Sequence, residues 1–432
     1  TPIIEIDPEL PIDNPWKASH PVRIKHILEH TAGFDDLHLY AWTNVKDQES
    51  PPTKKMVGDI GQSLKVRWQP GTKFAYSNPG YIVAGHLIET LSGIAYHEYL
   101  QQEVLSPIGM KSSKFYFKSP PSSVPMAQGY INEGGVFYPA DFKSVYAGAS
   151  GDLCSNAKDM AHFLQFMLNQ GELNDSIIAP SDFYRIEHPE TGVGIKKGLT
   201  YGYGLGNDVS WRNGYRFHGH DGGIPGFSSE YLYSREANIG IAIAVNANGF
   251  PRDLIRKILD HYIPESQKPK RKIQPITDQM IAQYQGYYKF KNPRSQYFSF
   301  MQQLFDGIKL NPTNSFIEIT DLMGNVEDTI YHAGNNQFYS GDEGFNFAIL
   351  FELENSTALW LGSHYAEKEN TVFSWIKIIS FILALIFTLG YFIVGIFRIP
   401  GSIFLKNISI DRFFLIPWST ALLFILIPVS FI

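Results

Sequence analysis

Two short segments of the sequence combine polar side chains with glycine in patterns that could do chemistry. The first, PGTKFAYSNPG over residues 70–80, contains Tyr76 and Asn78 at the start of a helical pattern. The second, YRFHGHDGGIPGFSS over residues 215–229, contains His220 followed by Gly222 and Gly223. A phenol, an amide and an imidazole can together move protons and orient a carbonyl group, so these segments are candidates for an active site.

Tyr76 can act as a base only under a specific condition. The unperturbed pKa of a tyrosine is near 10, and a neighbouring cation must lower that pKa before the phenol can accept a proton. Without such a cation, a tyrosine at this position merely packs at a helix start. Asn78 could orient a substrate carbonyl or a lysine, or it could be the N-cap of the helix, and both can hold at once.

His220 precedes a pair of glycines on what we predict to be an edge strand. Glycine removes the side chain that would keep a substrate away from the backbone of such a strand. His218 and His220 could also be read as metal ligands, but no carboxylate or further histidine follows at a matching spacing. We therefore predict neither a metal nor a cofactor, and Asp221 is expected to be a turn residue.

Four segments of the sequence are informative through their order and spacing, namely 24–34 (IKHILEHTAGF), 70–80, 147–160 (AGASGDLCSNAKDM) and 215–229. Their order and spacing resemble the serine β-lactamase and penicillin-binding-protein family in its class C-like branch. That branch includes D-alanyl-D-alanine peptidases and β-lactamase-fold esterases. The resemblance covers residues 10–262. Tyr76-Ser77-Asn78 is similar to the Tyr-x-Asn motif of the family, and His220-Asp221-Gly222 to its Lys-Thr-Gly motif, which is often His-x-Gly in these relatives.

The resemblance implies a role for each candidate. Tyr76 would relay protons between a nucleophilic serine and the leaving group, with its pKa lowered by a lysine one helical turn after that serine. The backbone N–H of Gly223 would be one oxyanion-hole donor, and Gly222 would let the substrate approach. His220 would contact the substrate or tune the tyrosine. His30, in the segment 30–33, is expected to be structural and satisfied by backbone.

The nucleophile that the resemblance implies is not found in the sequence. The family motif Ser-x-x-Lys should precede the segment around His30, and none of the twenty-nine residues before His30 makes it. Ser155 and Ser374 each precede a lysine at this spacing, but Ser155 is better interpreted as a helix N-cap and Ser374 lies at a membrane border. The chain also starts at Thr1 in a Pro-rich segment, which favours a truncated or processed N-terminus.

The patterns around these motifs predict an α+β fold. Helical periodicity is found over 79–92, 156–170 and 253–262, and strand patterns over 228–233 and 239–246. We expect a β-lactamase/transpeptidase-like unit over residues 1–262, with an antiparallel sheet flanked by helices. A Pro- and Lys-rich linker over 263–275 precedes a small β-rich unit over 276–370, whose short strands indicate a barrel or sandwich.

Two uncharged segments near the end of the sequence predict membrane helices. Residues 375–397 include twenty consecutive residues without charge, and residues 413–432 form a second such segment. The connection between them contains Arg398, Lys406 and Arg412, which places it in the cytoplasm by the positive-inside rule. The protein is then a multi-pass protein of the cytoplasmic membrane, with its hydrolase unit outside the cytoplasm and the lipid bilayer as a partner.

Composition excludes some functions and leaves others open. The net charge of −6 is not that of a basic protein that binds nucleic acid. The single cysteine, Cys154, cannot form an internal disulfide and is expected to be a buried apolar residue without a nucleophilic role. The predicted function is a serine hydrolase that forms an acyl-serine intermediate on a peptidoglycan-type peptide, a β-lactam or a small ester or amide. The alternative is a catalytically inactive membrane-anchored binding protein of the same fold. The oligomeric state is left open.

Overall fold

A computed structural model describes residues 1–38, 51–116, 124–142, 146–173, 175–176, 178–249, 251–263, 273–297, 299–340 and 345–405, with only the backbone described for 173, 175–176 and 395–405. The described chain divides into two compact units, Thr1–Lys368 and Glu369–Ile432. The helical part, the central sheet and a barrel all belong to the first unit. Most of the predicted linker, and all of the predicted second membrane segment 413–432, lie outside the described residues.

The α-helices are numbered in chain order: α1 Ile24–Leu28, α2 Thr53–Asp59, α3 Asn78–Ser92, α4 Tyr96–Leu100, α5 Ala157–Leu168, α6 Pro180–Glu187, α7 Val193–Lys196, α8 Arg252–Tyr262, α9 Asp278–Tyr284, α10 Ser299–Phe305 and α11 Thr371–Leu405. A π-helical turn, Gln101–Leu105, follows α4, and short 3₁₀ turns occur at Ile3–Glu5, Gly61–Leu64 and Gly148–Ser150.

The strands of the first part are β1 Lys114–Phe115, β2 Gly129–Glu133, β3 Val136–Ala140, β4 Leu153–Cys154, β5 Glu172–Leu173, β6 Asp175–Ser176, β7 Asp208–Arg212, β8 Tyr215–Ile224, β9 Phe227–Ser234 and β10 Ile239–Val245. The later strands are β11 Gly286–Phe290, β12 Gly307–Pro312, β13 Ile317–Thr320, β14 Val326–Gly334, β15 Gln337–Ser340, β16 Ala348–Glu352, β17 Thr357–Leu361 and β18 His364–Glu369.

Helix α3 forms where the sequence predicts a helix. Pro79 occupies the first turn, where its missing N–H costs nothing. Gly93 ends the helix in a left-handed conformation with φ of 71°. Ile82, Val83 and Leu87 share the buried face and pack into the core formed with α1 and α2. This buried face fixes the start of α3, and with it the backbone around residues 76–78.

The central antiparallel sheet has the strand order β10-β9-β8-β7. Side chains of successive strand residues point to opposite faces. On one face, Tyr231 and Tyr233 pack with α5, whose apolar residues include Leu164. On the other face, Phe217 and Leu232 pack with α8. Helices thus cover both faces of an antiparallel sheet, which is the mixed helix and strand class that the sequence predicts.

Strands β11 to β18 form a closed antiparallel barrel in sequential order. Its interior is filled by alternating apolar side chains, among them Tyr288, Leu310, Ile330 and Leu350, and Tyr284 of α9 packs with them. Closure leaves no unpaired strand edge in the barrel. The segment between β11 and β12 leaves the barrel and includes α10.

The second unit contains the helix α11. Its part Thr371–Val394 contains an 18-residue stretch with a mean hydropathy of 2.3, and α11 is the one helix among the described residues that is long and apolar enough to cross a membrane. It covers the described part of the first predicted span. Ser374, the second of the two Ser-x-x-Lys serines, lies in this helix, and its hydroxyl donates to a carboxylate oxygen of Glu369 at 3.2 Å.

Candidate active site

A cleft of about 1450 Å³ in the first unit is lined by all five residues singled out from the sequence, namely Tyr76, Asn78, His220, Gly222 and Gly223. The ring centroids of Tyr76 and His220 lie 6.1 Å apart. The start of α3 and the end of β8 therefore face each other. The structure brings together two segments that are separated by more than a hundred residues of sequence.

The strand that contains His220 is internal in the sheet, so the prediction of an edge strand is wrong for β8 as a whole. Asn213 and Gly214, with φ of 49° and 84°, form a tight turn that folds β7 back onto β8. β7 ends opposite Gly219, however. From His220 to Ile224 the only neighbouring strand among the described residues is β9. This half of β8 has an open edge along the cleft.

The pairing register decides which backbone groups lie on that open edge. Ile224 and Phe227 close the two-residue turn between β8 and β9 as a hydrogen-bonded pair. Because such pairs alternate along an antiparallel ladder, the backbone N–H and C=O of Gly223 point away from β9. The turn between β7 and β8 is closed by the pair of Arg212 and Tyr215, and counting from this turn leads to the same assignment of the backbone groups that face away from β9. The N–H groups of Asp221 and Gly223 thus face the cleft rather than the ladder.

An imidazole and a guanidinium group both lie close to the ring of Tyr76. The ring centroid of His30 is 4.2 Å from that of Tyr76, and Cζ of Arg294 is 4.6 Å from the same ring centroid. Burial raises the pKa of Tyr76 to about 12, and Arg294 acts in the opposite direction. The cations among the described residues therefore do not bring the phenol to the lowered pKa that the sequence argument required.

Asn78 is the first residue of α3 and not its N-cap, so that alternative is wrong. The N-cap position belongs to Ser77, whose hydroxyl donates to the backbone oxygen of Asp35 at 2.8 Å instead of capping the helix. The side-chain amide of Asn78 donates to Oδ1 of Asp36 at 2.9 Å, and its backbone N–H donates to the same oxygen at 3.1 Å. Asp36 therefore fixes the Asn78 amide at the wall of the cleft.

The sequence did not identify the residues that hold Tyr76 and Asn78 in place. Asp35 and Asp36 are both buried, and only Phe34 separates them from the segment 30–33, which we predicted to be structural. Arg294 reaches Asp36 from the barrel, with Nε 2.7 Å from Oδ2, although the two residues are 258 positions apart. A buried pair of adjacent acids demands cationic partners, but nothing local in the sequence identifies which arginine supplies the charge.

The two histidines of β8 have different environments. His218 is buried, and burial lowers its pKa to about 4. His220 is only partly buried and lines the cleft. Among the described residues, no group of three or more histidine, cysteine or carboxylate side chains is arranged to bind a metal ion.

Among the described residues, no histidine, lysine or tyrosine is hydrogen-bonded to the two other candidate nucleophiles near the cleft, Ser155 and Cys154. The hydroxyl of Ser155 lies 2.8 Å from that of Ser113, which in turn donates to Asp159. The N-cap of α5 is Asn156, whose side chain accepts from the backbone N–H of residues 158 and 159, so the N-cap assignment of Ser155 is wrong. Burial raises the pKa of the Cys154 thiol to about 11, which disfavours the reactive thiolate.

These features define an α+β protein with a cleft between a tyrosine at a helix start and the open edge of an antiparallel strand. The sequence profile described as Beta-lactamase matches residues 5–262, more than half of the chain. The chain therefore belongs to the Beta-lactamase family, as its motifs predict. This confirms the resemblance and the coarse fold class.

A curated protein and two solved structures are similar to this chain. A protein of Salmonella heidelberg (strain SL476), named "Putative D-alanyl-D-alanine carboxypeptidase", is 29% identical over 175 residues, which cover 36% of this chain and 40% of that protein. The chain thus matches less than half the length of this curated relative. SurE is 17% identical with a TM-score of 0.50 over 85% of this chain and 84% of SurE. The octameric penicillin-binding protein homologue from Pyrococcus abyssi is 20% identical with a TM-score of 0.48, covering 85% and 82%.

Proposed function

We propose that the full-length protein is a serine hydrolase that forms an acyl-serine intermediate on a peptide or amide of D-amino acids. One observation carries the proposal, namely that Tyr76 and the open edge of β8 line the same cleft, with the rings of Tyr76 and His220 6.1 Å apart. A general base and a row of backbone donors around one space are the two components that acyl transfer needs. The nucleophilic serine is one that this sequence does not contain.

The open edge of β8 is suited to bind an extended substrate. A peptide placed alongside residues 220–224 would add a strand to the sheet, since the outward N–H and C=O groups there have no strand partner among the described residues. In this arrangement the N–H of Gly223 is an oxyanion-hole donor. Such a donor typically contributes about 10²–10³ in rate. Gly222 is exposed, which leaves the edge free for the substrate.

Tyr76 and Asn78 would act from the opposite wall. Tyr76 serves as the general base for the serine and for the leaving group, and the lysine of the missing Ser-x-x-Lys motif would help to lower its pKa. Asn78, whose amide nitrogen already donates to Asp36, retains its amide oxygen to orient the lysine or a polar group of the substrate. His220 contacts the substrate beside the strand.

The choice of substrate class rests on the relatives. The Salmonella protein carries the name of a D-alanyl-D-alanine carboxypeptidase, and we transfer to this chain only the common chemistry of a D-amino acid peptide or amide. β-Lactams and small esters react by the same acyl transfer and are substrates to test beside it. We also propose that α11 anchors the hydrolase unit outside the cytoplasmic membrane, in keeping with the basic residues near and after the end of this helix, Arg398, Lys406 and Arg412.

The test is active-site labelling of the full-length protein. A fluorophosphonate and a fluorescent penicillin are allowed to react, and the modified residue is located by mass spectrometry. We expect a single modified serine outside the present sequence, and at least a hundredfold slower labelling in Tyr76→Phe, since general bases contribute roughly 10²–10⁴. His220→Ala should label more slowly as well. A folded protein that reacts with neither reagent and turns over no D-amino acid amide would be the inactive binding protein. Labelling at an undiminished rate in both variants would remove the site assignment.

A further inference from the structure

The segment that follows β11 is hydrogen-bonded to the chain just before Tyr76 and to the buried acid Asp35. The amide of Asn292 donates to the backbone oxygen of Phe74 at 2.8 Å. A guanidinium nitrogen of Arg67 donates to the backbone oxygen of Pro293 at 2.7 Å. The backbone N–H of Gln296 donates to Asp35 at 2.8 Å. These polar contacts fix the barrel segment 292–296 at the rim of the cleft.

Arg294 lies at the centre of this segment and reaches the proposed base. Its Nε donates to Asp36 at 2.7 Å, and its Cζ lies 4.6 Å from the centroid of the Tyr76 ring. At that distance a guanidinium group over an aromatic face is attracted to the ring. The side chain of Arg294 is 55% exposed and lines the cleft. A guanidinium group with one tethered nitrogen has a fixed position but is still partly open to solvent.

We propose that Arg294 is a positioning residue of the active site, which holds the phenol of Tyr76 in place and stabilises its anionic form during proton transfer. The barrel then supplies part of the catalytic apparatus. Arg294 lies outside residues 5–262, the part of the chain that matches the family profile. The role of Tyr76 in this inference rests on the proposed function, whereas the contact between Arg294 and Tyr76 does not depend on it.

Three carboxylates, those of Asp36, Asp221 and Asp208, raise the pKa of Tyr76, and Arg294 acts against them. A cation near the ring favours the phenolate, and the Asp36 carboxylate opposes it. Of these two influences on the pKa of Tyr76, the lowering by Arg294 is the larger. Asp36 also receives two hydrogen bonds from Asn78, so its negative charge is shared among several donors. The net effect of Arg294 and Asp36 on a phenolate is therefore favourable, although solvent at the exposed arginine reduces it.

The direct test measures the ionisation of residue 76 without any turnover. Tyr76 of the full-length protein is replaced by a ring-fluorinated tyrosine, whose phenol ionises several pH units lower, and its titration is followed by fluorine NMR. Arg294→Gln should raise the apparent pKa at position 76 by about one unit, the lower end of the range for an opposite charge within 4–6 Å. Arg294→Lys, which retains the charge, should restore at least half of that difference.

Lys291→Gln is the matched control, because it removes a positive charge from the residue directly before this segment and Lys291 does not line the cleft. The Lys291 variant should change the titration by no more than a few tenths of a unit. Equal titrations of the Arg294→Gln and Lys291→Gln proteins would overturn the proposal. So would an Arg294→Lys protein that titrates like Arg294→Gln. Circular dichroism and thermal unfolding of each variant verify that the fold is retained. If Arg294→Gln does not fold, Arg294→Lys is compared with the wild type, from which its titration should differ by no more than about half a unit.

A kinetic measurement separates this inference from the proposed function. If Tyr76 is the base, the acid limb of the kcat/KM profile should move to higher pH in Arg294→Gln and return towards the wild-type position in Arg294→Lys. A uniform loss of rate without that movement contradicts the inference and leaves the hydrolase proposal intact. A shifted NMR titration in a protein without hydrolase activity has the opposite meaning: the contact acts as inferred, and the proposed function fails.

Discussion

The imidazole of His30 packs against the phenol ring of Tyr76, with ring centroids 4.2 Å apart. Nδ1 of His30 accepts a hydrogen bond from the backbone N–H of Ser77 at 3.1 Å. Because an amide can only donate, the neutral ring carries its proton on Nε2, and burial lowers the pKa of His30 well below its usual value. A neutral histidine thus fixes both the ring and the backbone of the 76–78 segment.

Replacement of His30 should affect both stability and the site. His30→Ala removes the acceptor of the Ser77 N–H and leaves a cavity, for which we expect a loss of about 2–4 kcal/mol in the free energy of unfolding. The φ of 53° at this position adds strain for alanine. Labelling should slow as well, since Tyr76 loses its packing partner. Urea unfolding and labelling rates measure the two effects. The exposed His20→Ala is the control, and equal stability of the two variants would contradict the prediction.

Gly223 provides a test of the open edge. Gly223→Pro removes an N–H that does not belong to the β9 ladder, so the sheet should survive while the rate of acylation falls by about 10²–10³. Gly223→Ala keeps the N–H and should lose much less. Stopped-flow acylation of the full-length protein measures both rates, with circular dichroism as a check on the sheet. A proline variant as fast as the alanine variant would show that this N–H is not an oxyanion donor.

His218 should make the fold sensitive to acid. Its pKa in the folded protein, about 4, lies below the value near 6.5 of the unfolded chain. The unfolded chain therefore binds the proton first, and stability falls as the pH decreases from about 6.5 to about 4, by up to about 3 kcal/mol. His218→Leu should remove this part of the pH dependence in urea unfolding, whereas the exposed His20→Leu should not. An unchanged slope in His218→Leu would refute the assignment.

Asp152 should have the opposite effect at high pH. Burial raises its pKa to about 8, above the value near 3.9 of the unfolded chain. The folded protein holds that proton more tightly, so stability falls as the pH rises from about 4 to about 8. Asp152→Asn keeps an oxygen for the Tyr96 hydroxyl, which lies 3.3 Å from the carboxylate. We expect it to stabilise the protein by on the order of 5 kcal/mol at pH 8 and by only about 1.5 kcal/mol at pH 5. The exposed Asp182→Asn serves as the control, and an equal gain at both pH values would contradict the prediction.

Local signals in the sequence were sufficient to predict secondary-structure elements next to the site. Apolar periodicity over 79–92 predicted α3, and Pro79 and Gly93 mark its ends. The misjudged strand had a signal too, because Asn213-Gly214 between two short apolar segments is a strong hairpin pattern. Using it would have added β7 and made β8 internal. The assignment of Ser155 as an N-cap failed by a single residue, since Asn156 is an equally good cap.

By itself, the sequence determined the family, the positions of α3 and β8, and the residue types that the cleft would use, because periodicity, turn residues and motif order are properties of neighbouring residues. Only the tertiary structure decided that the pairing of β7 with β8 stops at Gly219 and leaves an edge open, that Asp36 holds Asn78, and that Arg294 lies over Tyr76. Those relationships join residues up to 258 positions apart. They depend on how the barrel packs against the helical part, which no local pattern encodes.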